Sequence, residues 1–217
     1  MGWIDRLRAG WALISMVLAT PAFAHPHVWV TARADVIFAP GGKLSGVRHS
    51  WSFDKGYSAF VTQGLDKNRD GKLTPDELQD LAKQNIESLA ESEYFTVLKV
   101  NDTKQAFDAP RDYQMAVAND EATLTFFLPT KVPPPAAKVF AVEISDPTYF
   151  VAFSIAEGHD AMKLAGAPKG CSVSITRPKP MNVAQQQRNL SEAFFQALTS
   201  ASNYGSQFAN RAIVACP

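Results

Sequence analysis

The chain has 217 residues and a mass of 23.7 kDa, with 46% apolar and 19% charged residues. That length supplies one domain with a sizeable core, and ordinary apolar content without low-complexity tracts excludes global disorder. Its 21 basic and 21 acidic side chains cancel. With no local cluster of Lys and Arg, the sequence offers no electrostatic footprint for nucleic acid or an anionic membrane.

Residues 1–24 read MGWIDRLRAGWALISMVLATPAFA, with Arg6 and Arg8 in a basic start, an apolar run from Trp11 to Leu18, and Ala22-Phe23-Ala24 at the end. This is the pattern of a cleaved secretory signal peptide. The apolar run falls well short of the ~20 residues that span a bilayer. Cleavage after Ala24 removes Arg6, Arg8 and Asp5, leaving 19 basic and 20 acidic side chains in a mature single domain, residues 25–217. No cysteine follows the small residues to carry a lipid, so the expected product is soluble and periplasmic. Cys171 and Cys216 are the two cysteines, and an even count in an exported chain points to a disulfide. Closing their separation of 45 residues (216 minus 171) stabilises by about 4 kcal/mol in the chain-entropy model. A redox or metal-binding thiol pair would instead want C-x-x-C proximity.

Two runs rich in Val, Trp, Phe and Ile, Val28 to Phe38 and Leu44 to Phe53, flank Pro40-Gly41-Gly42-Lys43 and predict a β-hairpin with a glycine turn. Helical patterning follows from about Lys55 to Leu65. After a polar loop, Leu78, Leu81, Ala82, Ile86 and Leu89 recur at helix spacing. Thr74, Pro75 and Glu77 supply the second helix with an N-cap, a first-turn proline and a capping-box partner. Strand signals return at Tyr94 to Val100, Tyr113 to Ala118, Ala122 to Leu128, Val139 to Ile144, Tyr149 to Ile155 and Cys171 to Thr176. A last helix is expected from Val183 to Leu198, with Leu190, Phe194 and Leu198 on one stripe, then a short strand from Ala212 to Cys216. The fold class is α+β: a mainly antiparallel β domain, a helix-loop-helix insert at about 54–92, and a C-terminal helix. Trp29 and Trp51, on the first two strands, are expected in the core.

The loop Asp66-Lys67-Asn68-Arg69-Asp70-Gly71-Lys72-Leu73-Thr74-Pro75-Asp76-Glu77 places oxygen donors at positions 1, 3, 5, 9 and 12. Gly71 stands at position 6, where the turn needs a positive φ, and Leu73 at position 8, where an apolar residue anchors the loop. This resembles the EF-hand. Calcium takes six to eight hard oxygen ligands. Asp66, Asn68 and Asp70 would give one each, Lys72 its carbonyl, Thr74 a direct or water-mediated contact, and Glu77 both carboxylate oxygens. Lys67, Arg69 and Lys72 weaken the field of the carboxylates, which places affinity at about 10⁻⁴ to 10⁻³ M. With no second loop in the chain, a structural calcium site is expected rather than a sensor.

Cleavage after Ala24 would expose His25-Pro26-His27-Val28-Trp29. The amine and ring of His25, with His27 two residues on, offer nitrogens suited to copper, nickel or zinc. Pro26 has no amide proton to lose, so a square-planar site built from deprotonated amides is excluded. A further ligand is needed. With a two-residue turn, paired hairpin positions sum to 83, so His49 faces Ala34, roughly 23 Å along the strand from His27. His159 is the other candidate.

Mature HPHVWV, Trp51-Ser52-Phe53-Asp54 leading into a lone EF-hand, Glu143-Ile144-Ser145-Asp146-Pro147-Thr148-Tyr149-Phe150, and Phe208-Ala209-Asn210-Arg211 through Cys216-Pro217 together resemble the DUF1007 family. The resemblance spans the mature chain. It implies an exported bacterial protein, of a family labelled as periplasmic components of ABC-type transport systems, and an association with nickel or cobalt transporters. The two α/β lobes of ordinary solute-binding proteins do not fit so short and antiparallel a chain.

Three functions follow. The first is a non-enzymatic periplasmic calcium protein that serves a metal-ion transport system through an inner-membrane transporter subunit. The second is an N-terminal-histidine copper enzyme acting on an extracellular polymer, which would need a third nitrogen ligand and a flat aromatic face. The third is a calcium-stabilised interaction module. No G-x-S-x-G or H-E-x-x-H occurs and four histidines leave few general bases, so no catalytic residue is assigned. Asp112 and Asp146 read as turn formers. Oligomeric state is left open.

Overall fold

A computed structural model describes residues 26–135, 137–148, 150–177 and 209–217. The predicted hairpin forms β1 (Val28–Phe38) and β2 (Leu44–Phe53). Along β1, buried Val28, Val30, Ala32, Ala34 and Val36 alternate with outward side chains, the period of a strand with one face in a core. Register runs from Val30 opposite Phe53 to Ile37 opposite Gly46, the expected sum. The connection is not a two-residue turn, however. Pro40–Gly42 form a 3₁₀ turn closed by the Ala39 amide donating to the Lys43 carbonyl, and a register shift between Ile37 and Phe38 absorbs the extra residue. Gly46 is required here, since a Cβ would lie 2.3 Å from the Leu128 carbonyl oxygen.

The first sheet runs β5 (Arg111–Ala118), β6 (Glu121–Pro129), β2, β1, with β8 (Val151–Ile155) and β9 (Met162–Ala165) one after the other along the far edge of β1. Both of those strands run parallel to β1, a departure from the antiparallel expectation. β9 went unpredicted because four residues carry too little alternation. The second sheet is antiparallel, in the order β10 (Ser172–Thr176), β11 (Asn210–Ala215), β7 (Val139–Ile144), β3 (Thr96–Val100) and β4 (Thr103–Lys104). The Cys171–Cys216 disulfide closes the β10–β11 pair.

Two helices link the sheets: α1 (Lys55–Val61), shorter than expected, and α2 (Pro75–Leu89). Inward residues of both sheets and the α2 stripe Leu78, Ala82 and Ile86 form one core. Among the described residues the structure is therefore mixed α+β, mostly sheet with two α-helices. Tyr94 and Phe95 are not in a strand; with Glu93 they adopt φ of 49°, 56° and 47°, a left-handed turn that redirects the chain from α2 into β3. The helix expected from Val183 to Leu198 lies outside the described residues. Among those residues no helix is long and apolar enough to cross a membrane.

Trp51 is buried, as expected, with ring centroids 5.0 Å from both Phe126 and Phe153. Trp29 is not, and keeps 53% of its surface open. His49 lies fully inside the core, stacked on Phe126 with centroids 4.9 Å apart. The Thr96 hydroxyl donates to the Tyr94 carbonyl at 2.8 Å, so the lone pair it turns to His49 Nε2, 3.2 Å away, accepts a proton. Nδ1 has no partner. A second proton there would be buried against the Trp51 and Phe126 rings without an acceptor among the described residues, and burial pushes the pKa down to about 3.

Asn210 joins the two sheets. Fully buried at the start of β11, its amide accepts from the Ile155 amide at 3.1 Å and donates to the Phe153 carbonyl at 2.7 Å, mimicking a strand partner for β8. Arg177 bonds the carbonyls of Ile155 and Ala156 along the same edge.

Asn210→Ala strands two buried backbone groups and is expected to lower unfolding free energy by about 2–4 kcal/mol in urea titrations. His49 makes the opposite kind of prediction. Because its folded pKa lies below the unfolded value, the unfolded chain binds the extra proton first, and stability falls as pH drops from about 6.5 towards 3, by up to about 1.4 kcal/mol per unit. His49→Leu leaves the Thr96 hydroxyl its Tyr94 acceptor and removes the orphaned Nδ1. The variant should be near neutral at pH 7 and show a shallower acid slope than wild type between pH 6 and 4.

Candidate functional site

The first of the helices that flank the predicted loop, α1, is tied to the first sheet at its start. Asp54 caps α1 by accepting from the Tyr57 amide at 3.0 Å through Oδ1, while Oδ2 accepts from the Trp29 amide at 3.1 Å. The Asp54 amide returns a bond to the Trp29 carbonyl at 3.0 Å. Ser58, buried on α1, donates to the Phe53 carbonyl and accepts from the Ala122 amide at 2.8 Å. The Asp54 cap went unread, although the spacing of Asp54-Lys55-Gly56-Tyr57 is a local signal for it; its second bond, across the sheet to Trp29, has none.

Between the helices the loop folds around its own carboxylates. Asp66 accepts from the amides of Asp70 at 3.2 Å and Gly71 at 2.9 Å. Asn68 Oδ1 accepts from the Asp70 amide at 3.0 Å, and Asp70 Oδ1 from the Lys72 amide at 2.8 Å. Gly71 has a φ of 78°, the left-handed turn that its position required. Leu73 and Leu65 pack against the core.

Glu77 closes the loop from the far end. Its Oε1 accepts from the Lys67 amide at 2.9 Å, and its Oε2 from the Thr74 amide at 3.0 Å and the Thr74 hydroxyl at 2.9 Å. The Thr74 hydroxyl accepts from the Glu77 amide, completing the predicted capping box. The Thr74 amide and hydroxyl, followed by the Lys67 and Asn68 amides, hold the Glu77 carboxyl below its ordinary range. Thus Asp66, Asn68, Asp70, Thr74 and Glu77 are drawn onto one short loop as hard oxygen donors, with the Lys72 carbonyl between them in sequence. Among the described residues no three His, Cys, Asp or Glu side chains are grouped so as to hold a metal ion by themselves.

The histidines are not brought together. His27, just before β1, has its ring 4.7 Å from that of Phe150. His159 lies in the loop before β9, where Asp160 pairs with Arg33 at 2.8 Å and the Ala161 carbonyl accepts from the Ala34 amide. From His27 to Arg33 is six residues of strand, about 20 Å, so His159 stands beside the middle of β1, well away from His27. His49 faces Ala34 from inside the core. His25 lies outside the described residues.

The two carboxylates read as turn formers are occupied. Buried Asp146 accepts from the Thr148 amide, the Thr148 hydroxyl and the Val151 amide at 2.7–2.9 Å. Asp112, at a φ of 53° in an irregularity of β5, pairs with Arg48 at 3.5 Å.

Known proteins bear on this arrangement in two ways. An uncharacterised 15.5 kDa protein from the trpE 3′ region of Spirochaeta aurantia is 29% identical over 106 residues, covering 48% of this chain and 76% of that protein. The model of a family described as a protein of unknown function, DUF1007, matches residues 10–216. With nearly its whole length covered, the chain belongs to the DUF1007 family.

Proposed function

We propose that this chain is an exported protein that binds calcium in the loop from Asp66 to Glu77, an EF-hand inserted in the crossover between two sheets. The observation that supports it is the closed loop itself, in which Asp66 gathers the Asp70 and Gly71 amides and Glu77 spans to Lys67. Two anchored helices hold the ends of that loop, so little further ordering opposes an ion. Asp66, Asn68, Asp70, Glu77, the Thr74 hydroxyl and the Lys72 carbonyl supply the number and hardness of donors that calcium takes. Lys67, Arg69 and Lys72 on the same loop keep affinity in the millimolar range of extracellular modules.

The role is that of a non-enzymatic accessory of a metal-ion transport system in the periplasm, with an inner-membrane transporter subunit as partner. Its support is the resemblance of the mature chain to the family, together with carboxylates committed to turns rather than to a shared cleft. The N-terminal His25 and His27 offer nitrogens to nickel, cobalt, copper or zinc beside that calcium site.

Calcium raised to about 10 mM should increase the thermal midpoint by roughly 3–10 °C, and Glu77→Gln should abolish the rise while folding without calcium. An unchanged wild-type midpoint sinks the calcium site. For the N-terminus, titration of nickel, copper and zinc into protein beginning at His25 should show tighter binding than to a form with one extra preceding residue. Equal binding by the two forms removes the amine and the His25 ring as ligands.

A further inference from the structure

The outer face of the first sheet carries an open indole, Trp29, in a field of hydroxyls, with Phe150, 45% exposed, against the His27 ring at its edge. Trp29 points away from the core between buried Val28 and Val30, and its neighbour on β8 is Ala152, too small to cover an indole. Two residues along, register sets Thr31 between Ser154 on β8 and Ser52 on β2, and Ser52 beside Thr123 on β6. The Ser52 and Thr123 hydroxyls are 2.9 Å apart. In the next row Arg33 stands opposite Ser50, which pairs with Thr125.

Charges around this face cancel in pairs. Arg33 meets Asp160 at 2.8 Å, Arg48 meets Asp112 at 3.5 Å, and Lys55, just past β2, meets Asp120 at 3.4 Å. These pairs weaken any field that would draw an anionic polymer or a cation. Rings interrupted by hydroxyls also fall short of the contiguous apolar area that marks protein docking. What the face does offer is an apolar plate with short, rotatable groups that both donate and accept, at spacings of about 4.8 Å across strands and 6.6 Å along them.

We propose that this face binds a neutral oligosaccharide. One pyranose ring lays its C–H face on Trp29, and the hydroxyls of Thr31, Ser52 and Ser154 and the Arg33–Asp160 pair exchange hydrogen bonds with the hydroxyls of that ring and the next. This site is separate from the calcium loop and stands or falls without it.

Isothermal titration of the full folded chain with cellohexaose, chitohexaose and maltohexaose tests it, in buffer with calcium. At least one of the three should bind at millimolar concentration, about tenfold more weakly to Trp29→Ala and about fivefold more weakly to Thr31→Ala/Ser52→Ala. Thermal midpoints of the variants establish that each is folded; if Trp29→Ala is not, Thr31→Ala/Ser52→Ala carries the comparison. Absence of heat with all three sugars overturns the proposal, as does undiminished binding by the folded variants. Concentration-dependent self-association that Trp29→Ala abolishes, without sugar binding, also overturns it and makes a second copy of the chain the occupant.

Discussion

The chain must pass from one sheet to the other between Phe53, the end of β2, and Thr96, the start of β3, and the rest of the structure depends on how that crossing is held. Asp54 fastens the departure by capping α1 and bonding Trp29 at once. Ser58 ties α1 to the first residues of β6. The stripe Leu78, Ala82 and Ile86 buries α2 in the shared core. The arrival is a left-handed turn at Glu93, Tyr94 and Phe95, costing about 1–2 kcal/mol per residue. It is offset where Thr96 locks into the core against His49 and the Tyr94 carbonyl.

The loop from Asp66 to Glu77 is the farthest point of that crossing and the one segment of it with little apolar anchorage, Leu65 and Leu73 excepted. Its order comes from carboxylates accepting backbone amides, bonds exposed to water and weak in isolation. On the reading proposed above, a divalent cation bound there would turn a set of marginal bonds into a rigid joint. Such a joint would act on the first sheet through α1, bonded to Trp29 and Ala122, and on the shared core through the buried stripe of α2.

Much of this was legible in the residues. Runs rich in β-branched and aromatic residues around Pro40-Gly41-Gly42-Lys43 located β1 and β2, and the capping box at Thr74 and Glu77 located the start of α2, because both signals are local. Gly71 at the sixth loop position and Leu73 at the eighth were read from spacing alone. What escaped depends on distant partners. The parallel pairing of β8 and β9 with β1 is set by where the chain returns, and β9 is too short to announce itself. Tyr94 and Phe95 look like strand residues by propensity but are spent on a turn dictated by the exit from α2. Trp29 read as core because aromatic residues in strands usually are; its exposure follows from its parity with Thr31 and Arg33, opposite to the buried Val28 and Val30. Asn210 carried no sign of bridging two sheets, since its partners Phe153 and Ile155 lie more than fifty residues away.

Amide hydrogen exchange with and without calcium tests the central claim most directly, residue by residue. Millimolar calcium is predicted to slow exchange at Asp70, Gly71 and Lys72 and through α1 and α2, with the inner strands already protected and unchanged. Identical exchange of the loop and both helices in the two conditions would contradict the account.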